Sequence, residues 1–162
     1  MTSATLVLKR CAIEGNTAYN GAGVYSLNGG SITFEDCVII GNRSRGTGGG
    51  VFNNHFSTVN LRGSLIASNC ASLGGGGMMN NQNAIAHMEN CTFGWNIGTN
   101  GPGGGLRNAG EADVAHCTIV SNDSLNAPAG GLYTAGLLRL TNSIICNNRA
   151  RGTWNLVPEG RL

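Results

Sequence analysis

The chain is poor in charge. Asp, Glu, Lys and Arg make up 11% of its 162 residues, and the ten basic side chains outnumber the eight acidic ones by only two. A single lysine, Lys9, stands among dispersed arginines, so there is no basic stripe to follow a nucleic-acid backbone and no nucleic-acid partner is expected. No apolar run approaches the ~20 residues of a membrane span. The opening MTSATLVLKRC lacks a charged segment followed by a long apolar one, so no signal peptide is read there. Aromatics are only 6% and prolines only three, and no segment is long enough for a helix. What abounds is glycine, 27 residues, well above the usual ~7%. With a hydrophobic fraction of 41%, a core is still affordable, and the length suits one domain or one piece of a longer array.

The apolar residues are ordered by a repeat. The motif C-x-I-x-x-N of CTIVSN (117–122) returns as CAIEGN and CVIIGN, with SLIASN, CTFGWN and SIICNN as variants. Its first positions are Cys11, Cys37, Ser64, Cys91, Cys117 and Ser143, spaced by 26 or 27 residues. Its asparagines are Asn16, Asn42, Asn69, Asn96, Asn122 and Asn148. Five and three residues ahead of each motif lie mostly apolar pairs, from Leu6 and Leu8 through Ile32 and Phe34 to Leu138 and Leu140. After most of the asparagines comes a glycine block: GVY, GVF, GMM, GLR and GLY.

Three short pieces of period 2 per repeat predict an all-β chain wound as a parallel solenoid. We expect about six coils of three short strands each, starting near residues 6, 32, 59, 86, 112 and 138, in one domain over residues 1–162. At a strand spacing of ~4.8 Å the rod would be roughly 25–30 Å long. The outward residues Lys9, Glu35, Arg62 and Glu89 alternate in sign from coil to coil, as in-register stacking favours. Arg10 would lie under Asp36. An asparagine column suits the same geometry. Asn tolerates the left-handed backbone of a tight corner, and its amide both donates and accepts along a stack.

Paired I/F-x-x-N and G-G-φ elements, as in FGWN and GGGV, resemble the polymorphic outer-membrane protein repeats of bacterial autotransporter passengers. More broadly they resemble the right-handed parallel β-helix family that includes pectate lyases. The resemblance covers about residues 6–148. It implies a single-stranded right-handed β-helix and a secreted or bacterial cell-surface location. The family's C-terminal membrane barrel and an export signal are not seen in this sequence. The scaffold hosts adhesins as well as lyases and hydrolases, so it does not assign an activity.

Three outward columns are candidate functional surfaces. On the first strand, His87, Asp113 and Arg139 would project from consecutive coils, on the face where enzymes resembling pectate lyases carry their catalytic groups. Asp113 would act as a base and Arg139 would hold a sugar carboxylate in bidentate fashion. The plainer alternative is a charge ladder on a solvated face. On the third strand, Tyr25, Phe52, Arg107 and Tyr133, with Met79 between them, form either a platform for glycan rings or a face packed under the glycine loops. On the second strand, Val38, Ile40, Leu65, Val120 and Ile144 make an apolar outward stripe where a polar one is usual. A protein partner, self-association or cover by the chain's own loops would each account for it.

Cys11 over Cys37, and Cys91 over Cys117, follow the coil period and match no zinc spacing; we expect reduced, buried thiols and no metal or cofactor. His55 and His116 lie at turns. GTGGG and LGGGGMM lack the helix and G-K-S/T of a phosphate loop. At the C-terminal end, residues 149–162 are expected to form a partial cap, with Trp154, Leu156 and Val157 folded across the last coil. The uncapped start fits a fragment of a longer rod better than axial association. The expected role is a non-catalytic binding or adhesion segment that meets a protein or glycan at a cell surface. The alternatives are a carbohydrate-active lyase or hydrolase, and a structural spacer or self-assembling rod.

Overall fold

The computed structural model describes residues 4–151 and 156–158. These residues form a parallel β-solenoid of six coils, whose strands assemble into four six-stranded sheets. The first coil shows the plan: Thr5–Lys9, Ala12–Glu14, Thr17–Ala18 and Val24–Ser26 begin the first to fourth sheets in turn. Each later coil repeats this order and pairs in register, so that Leu6 neighbours Ile32, Ile13 neighbours Ile39, and Val24 neighbours Val51. Four strands per coil replace the three expected. The additional one, following each ladder asparagine, is two residues long and too short to display a period.

Inward columns fill the core as the alternation requires. Phe34, Leu61, Met88 and Val114 on the first sheet are buried, as are Ile39, Ile66, Phe93 and Ile119 on the second. Val51, Met78, Leu106 and Leu132 close the core from the fourth sheet. The third sheet contributes small inward residues, among them the buried Ser44, Ala71 and Ser124.

The motif asparagines form a continuous amide ladder. Each backbone N–H and each Nδ2 donates to Oδ1 of the asparagine one coil on; for Asn69 and Asn96 both distances are 3.0 Å. Nδ2 of Asn96 also donates to the carbonyl of Ile66, at 2.9 Å. The left-handed backbone expected of these asparagines belongs instead to the residue before each. Gly15, Gly41, Ser68, Trp95, Ser121 and Asn147 all have φ between 53° and 66°. The asparagine is thereby free to turn its side chain inward.

The glycine block is the ladder's counterpart. A Cβ on Gly77 would lie 2.5 Å from the carbonyl oxygen of Gly105 and 3.0 Å from Nδ2 of Asn96. Only a bare backbone can pass so close to the amide column, which couples the two sequence elements physically.

The cysteine positions have a polar duty as well. Ser64 Oγ accepts from the N–H of Cys37 at 3.1 Å, and Ser143 Oγ accepts from the N–H of Cys117 at 3.0 Å. Cys117 Sγ accepts from the N–H of Cys91 in the same way, at 3.4 Å, so either Ser or Cys can serve in this column.

Loop lengths change along the rod while the period hardly does. Connections from the fourth sheet to the first hold four residues in three coils (27–30, 54–57, 81–84) and two in the next two (109–110, 135–136). Connections from the third sheet to the fourth lengthen in compensation, from five residues (19–23) to six (45–50, 72–77) to seven (99–105, 125–131).

Leu156–Pro158 pairs in parallel with Leu132–Thr134 as a strand of the fourth sheet. These residues extend the sixth coil where a fold-over cap was expected, because the backbone hydrogen bonds of Leu132–Thr134 offer them a register. Trp154 lies outside the described residues.

Candidate functional site

Residues two apart on a strand share a face, and in-register stacking aligns those faces from coil to coil. The strands Ile85–Glu89, Glu111–Ala115 and Leu137–Thr141 therefore set His87, Asp113 and Arg139 side by side. Nδ1 of His87 lies 3.0 Å from Oδ2 of Asp113. Arg139 donates to Oδ1 of Asp113 at 3.1 Å and to Oε1 of Glu111 at 2.6 Å. The two carboxylates hold the Arg139 guanidinium above its ordinary value, Glu111 contributing first. The trio expected from the sequence is thus brought together, with Glu111 as a fourth member. Glu111 stands two residues before Asp113, and the period-2 alternation alone was enough to place it on this face.

Both oxygens of Asp113 are engaged, one by each neighbour. The depression beside it is shallow, about 190 Å³, and lined by Asn60, Arg62, Met88 and Glu89 as well as His87 and Asp113. The same face continues the ladder elsewhere: Lys9 meets Glu35 at 2.7 Å and Arg62 meets Glu89 at 3.9 Å. Hydrogen bonding from Lys9 holds the Glu35 carboxyl below the usual glutamate value, with Arg62 and Arg10 adding attraction. Among the described residues Arg10 and Asp36 form no ion pair; both occupy the left-handed corner between the first two sheets.

The aromatic column of the fourth sheet is not an open platform. Phe52 and Tyr133 are buried, Arg107 is half-buried, and only Tyr25 is exposed. The glycine loops pass over this face. A Cβ on Gly48 would lie 2.7 Å from Cβ of Phe52, and Arg107 pins loop residue Leu73 through its carbonyl at 2.9 Å. Tyr25 stacks on Phe52 with ring centroids 5.0 Å apart, and its hydroxyl accepts from Asn54 at 3.1 Å.

On the second sheet Val38, Ile40, Leu65 and Val120 all face outward but are half-buried, while Ile144 is exposed. Ala67 and Gly94 in the same rows are buried, so the apolar stripe is narrower than its residue types imply.

All six cysteines are free thiols. Cys37, Cys91 and Cys117 are buried, and Cys91 is held far above its ordinary value by its hydrogen bond with Cys117 and by burial. Among the described residues no group of three His, Cys, Asp or Glu side chains is placed to hold a metal ion. Among the described residues no helix is long and apolar enough to cross a membrane.

Sequence reasoning missed three features. A second amide ladder runs from Asn53 to Asn80 to Asn108, each Nδ2 donating to the next Oδ1 at 2.8 Å, and ends on Thr134 Oγ1 at 3.0 Å. Phe56 and Trp95 are strongly exposed on left-handed backbone. The asparagines two residues after G-V, G-M and G-L were a legible signal for the ladder; the two exposed aromatics had none.

No family model matches this chain, and no curated protein or solved structure does so at a significant level.

Proposed function

We propose that the chain is a non-catalytic recognition segment of a β-helical surface protein, similar to an autotransporter passenger, which meets its partner through its side faces. The carrying observation is the state of Asp113. Each of its two oxygens is bonded by a neighbour, one by His87 and one by Arg139, and this supports reading the trio as a rung of the charge ladder. The depression on that face is open to solvent, which supports the same reading. The sequence resemblance to autotransporter repeats supports a secreted or bacterial cell-surface location.

A carbohydrate-active β-helix, a polysaccharide lyase or hydrolase, is the second reading. It is favoured by the convergence of His87, Asp113 and Arg139 beside a depression on the first sheet. The two readings separate when the chain is incubated with acidic and neutral polysaccharides and with immobilised surface proteins, and both retention and new chain ends are followed. The expected result is saturable retention with no new ends. Release of new ends that disappears in Asp113→Ala would overturn the non-catalytic reading.

A further inference from the structure

Where the four-residue connections give way to two-residue ones, the surface of the rod drops by a step. An open groove of about 470 Å³ lies along that step, bordered by Phe56, Asn83 and Ile85 on the long-turn side and by Ala109, Gly110 and Glu111 on the other. Its walls are apolar but for one amide and one carboxylate. Glu111 is its only charged residue, and Arg139 bonds Oε1 alone, leaving Oε2 available among the described residues. Phe56 is 72% exposed and has φ +59°, next to His55 at +34°. A bulky residue rarely adopts the left-handed region, because its Cβ crowds the backbone there. Folding therefore gains nothing from presenting this ring to solvent.

We propose that the groove binds an arginine side chain of a partner polypeptide. Guanidinium is planar, weakly hydrated and always charged, so it can lie on the face of an aromatic ring while donating to a carboxylate. Phe56 supplies the face, Glu111 the free oxygen, and Ile85 and Ala109 an apolar bed for the methylene stem. The carboxylate oxygen that Arg139 leaves unbonded is the argument for a cationic donor over an acidic group. The proposal rests on the reading of the chain as a recognition segment and names the chemistry of its partner.

The test is a titration of the full, ¹⁵N-labelled chain with a blocked Gly-Arg-Gly peptide, its citrulline counterpart and a neutral oligosaccharide, read at the amides of residues 83–85 and 109–111. The arginine peptide is expected to shift these amides saturably and the citrulline peptide several-fold more weakly. Phe56→Ala and Glu111→Gln are each expected to weaken binding by about two- to fivefold. Arg139→Gln, which releases Glu111, is expected to tighten it; a merely structural role for the Arg139–Glu111 pair predicts the reverse. Phe56→Gly relieves the left-handed strain, so it keeps a folded spectrum while losing affinity.

Equal shifts by citrulline, shifts by the oligosaccharide alone, weaker binding in Arg139→Gln, or no shift with the arginine peptide would each overturn the proposal. The titration is independent of turnover. Release of polysaccharide chain ends would remove the non-catalytic reading and leave the arginine groove standing, and a silent groove in a chain that retains another partner would do the opposite.

Discussion

Asn96 hangs from Asn122 by two hydrogen bonds: its backbone N–H and its Nδ2 both donate to the same Oδ1, at 3.0 and 2.9 Å. Asn96 in turn offers its own Oδ1 to Asn69 in the same way. Replacing it with leucine strips an acceptor from two buried donors and forces a branched side chain against Gly77. Asn96→Leu is expected to destabilise by about 3–5 kcal/mol, since each buried polar group left unpaired costs about 1–3 kcal/mol. Denaturant unfolding measures it, and a loss under ~1 kcal/mol would contradict the ladder's role.

The second amide ladder stops one coil short. Oδ1 of Asn53 is buried without a hydrogen-bond partner, and the residue stacked beside it is Ser26, itself buried. Ser26→Asn places an Nδ2 donor where the pattern calls for one. A gain of about 1 kcal/mol is expected, which in a chain of this size raises Tm by about 2–4 °C. An unchanged or lower Tm sinks the idea.

Acid should weaken the first sheet at Glu35. Lys9 holds this carboxyl below its ordinary value in the folded chain. The folded value is the lower one, so the pair's contribution is present at neutral pH and is lost as pH falls through that value, below about 4.3. Thermal melts between pH 6 and pH 3 should show a larger loss of Tm in the native chain than in Glu35→Gln. Equal losses would remove this pair from the acid response.

Thiol reactivity should divide the cysteines by burial. Cys37, Cys91 and Cys117 are buried, whereas Cys11, Cys70 and Cys146 are partly open. Thiolate is the reacting form, and Cys91 is held protonated by Cys117 and by burial. Alkylation of the folded chain, mapped by mass spectrometry, should label the open three first and Cys91 last. Labelling of Cys91 as fast as Cys146 would contradict the packing of that column.

What was legible in the sequence was whatever recurs once per coil. The inward columns from Leu8 to Leu140, the asparagine ladder, and the charge pairs Lys9–Glu35 and His87–Asp113–Arg139 all follow from one period and one register. The two-residue strands such as Thr17–Ala18 and Asp123–Ser124 escaped because an alternation of two cannot be told from chance. Asn53, Asn80 and Asn108 escaped because their column gives way to Ser26 at one end and Thr134 at the other. The covering of Phe52 and Tyr133 was one of the two alternatives the sequence left open, because it depends on the path of the glycine loops. Phe56 borders a groove for a reason lying two coils away, in the shortened turn at Ala109–Gly110.

That shortened turn bears on how such a rod can change by recombination. Because residues removed from one connection are nearly returned by the other, every coil is an interchangeable cassette that preserves the stacking of its neighbours. Duplicating the stretch 86–111 would lengthen the short-turn half and leave Phe56 and Glu111 where they are relative to one another. Duplicating 59–85 would insert a long-turn coil between them and pull the groove apart. Growth of the rod is therefore neutral for the groove on one side of the step and destructive on the other.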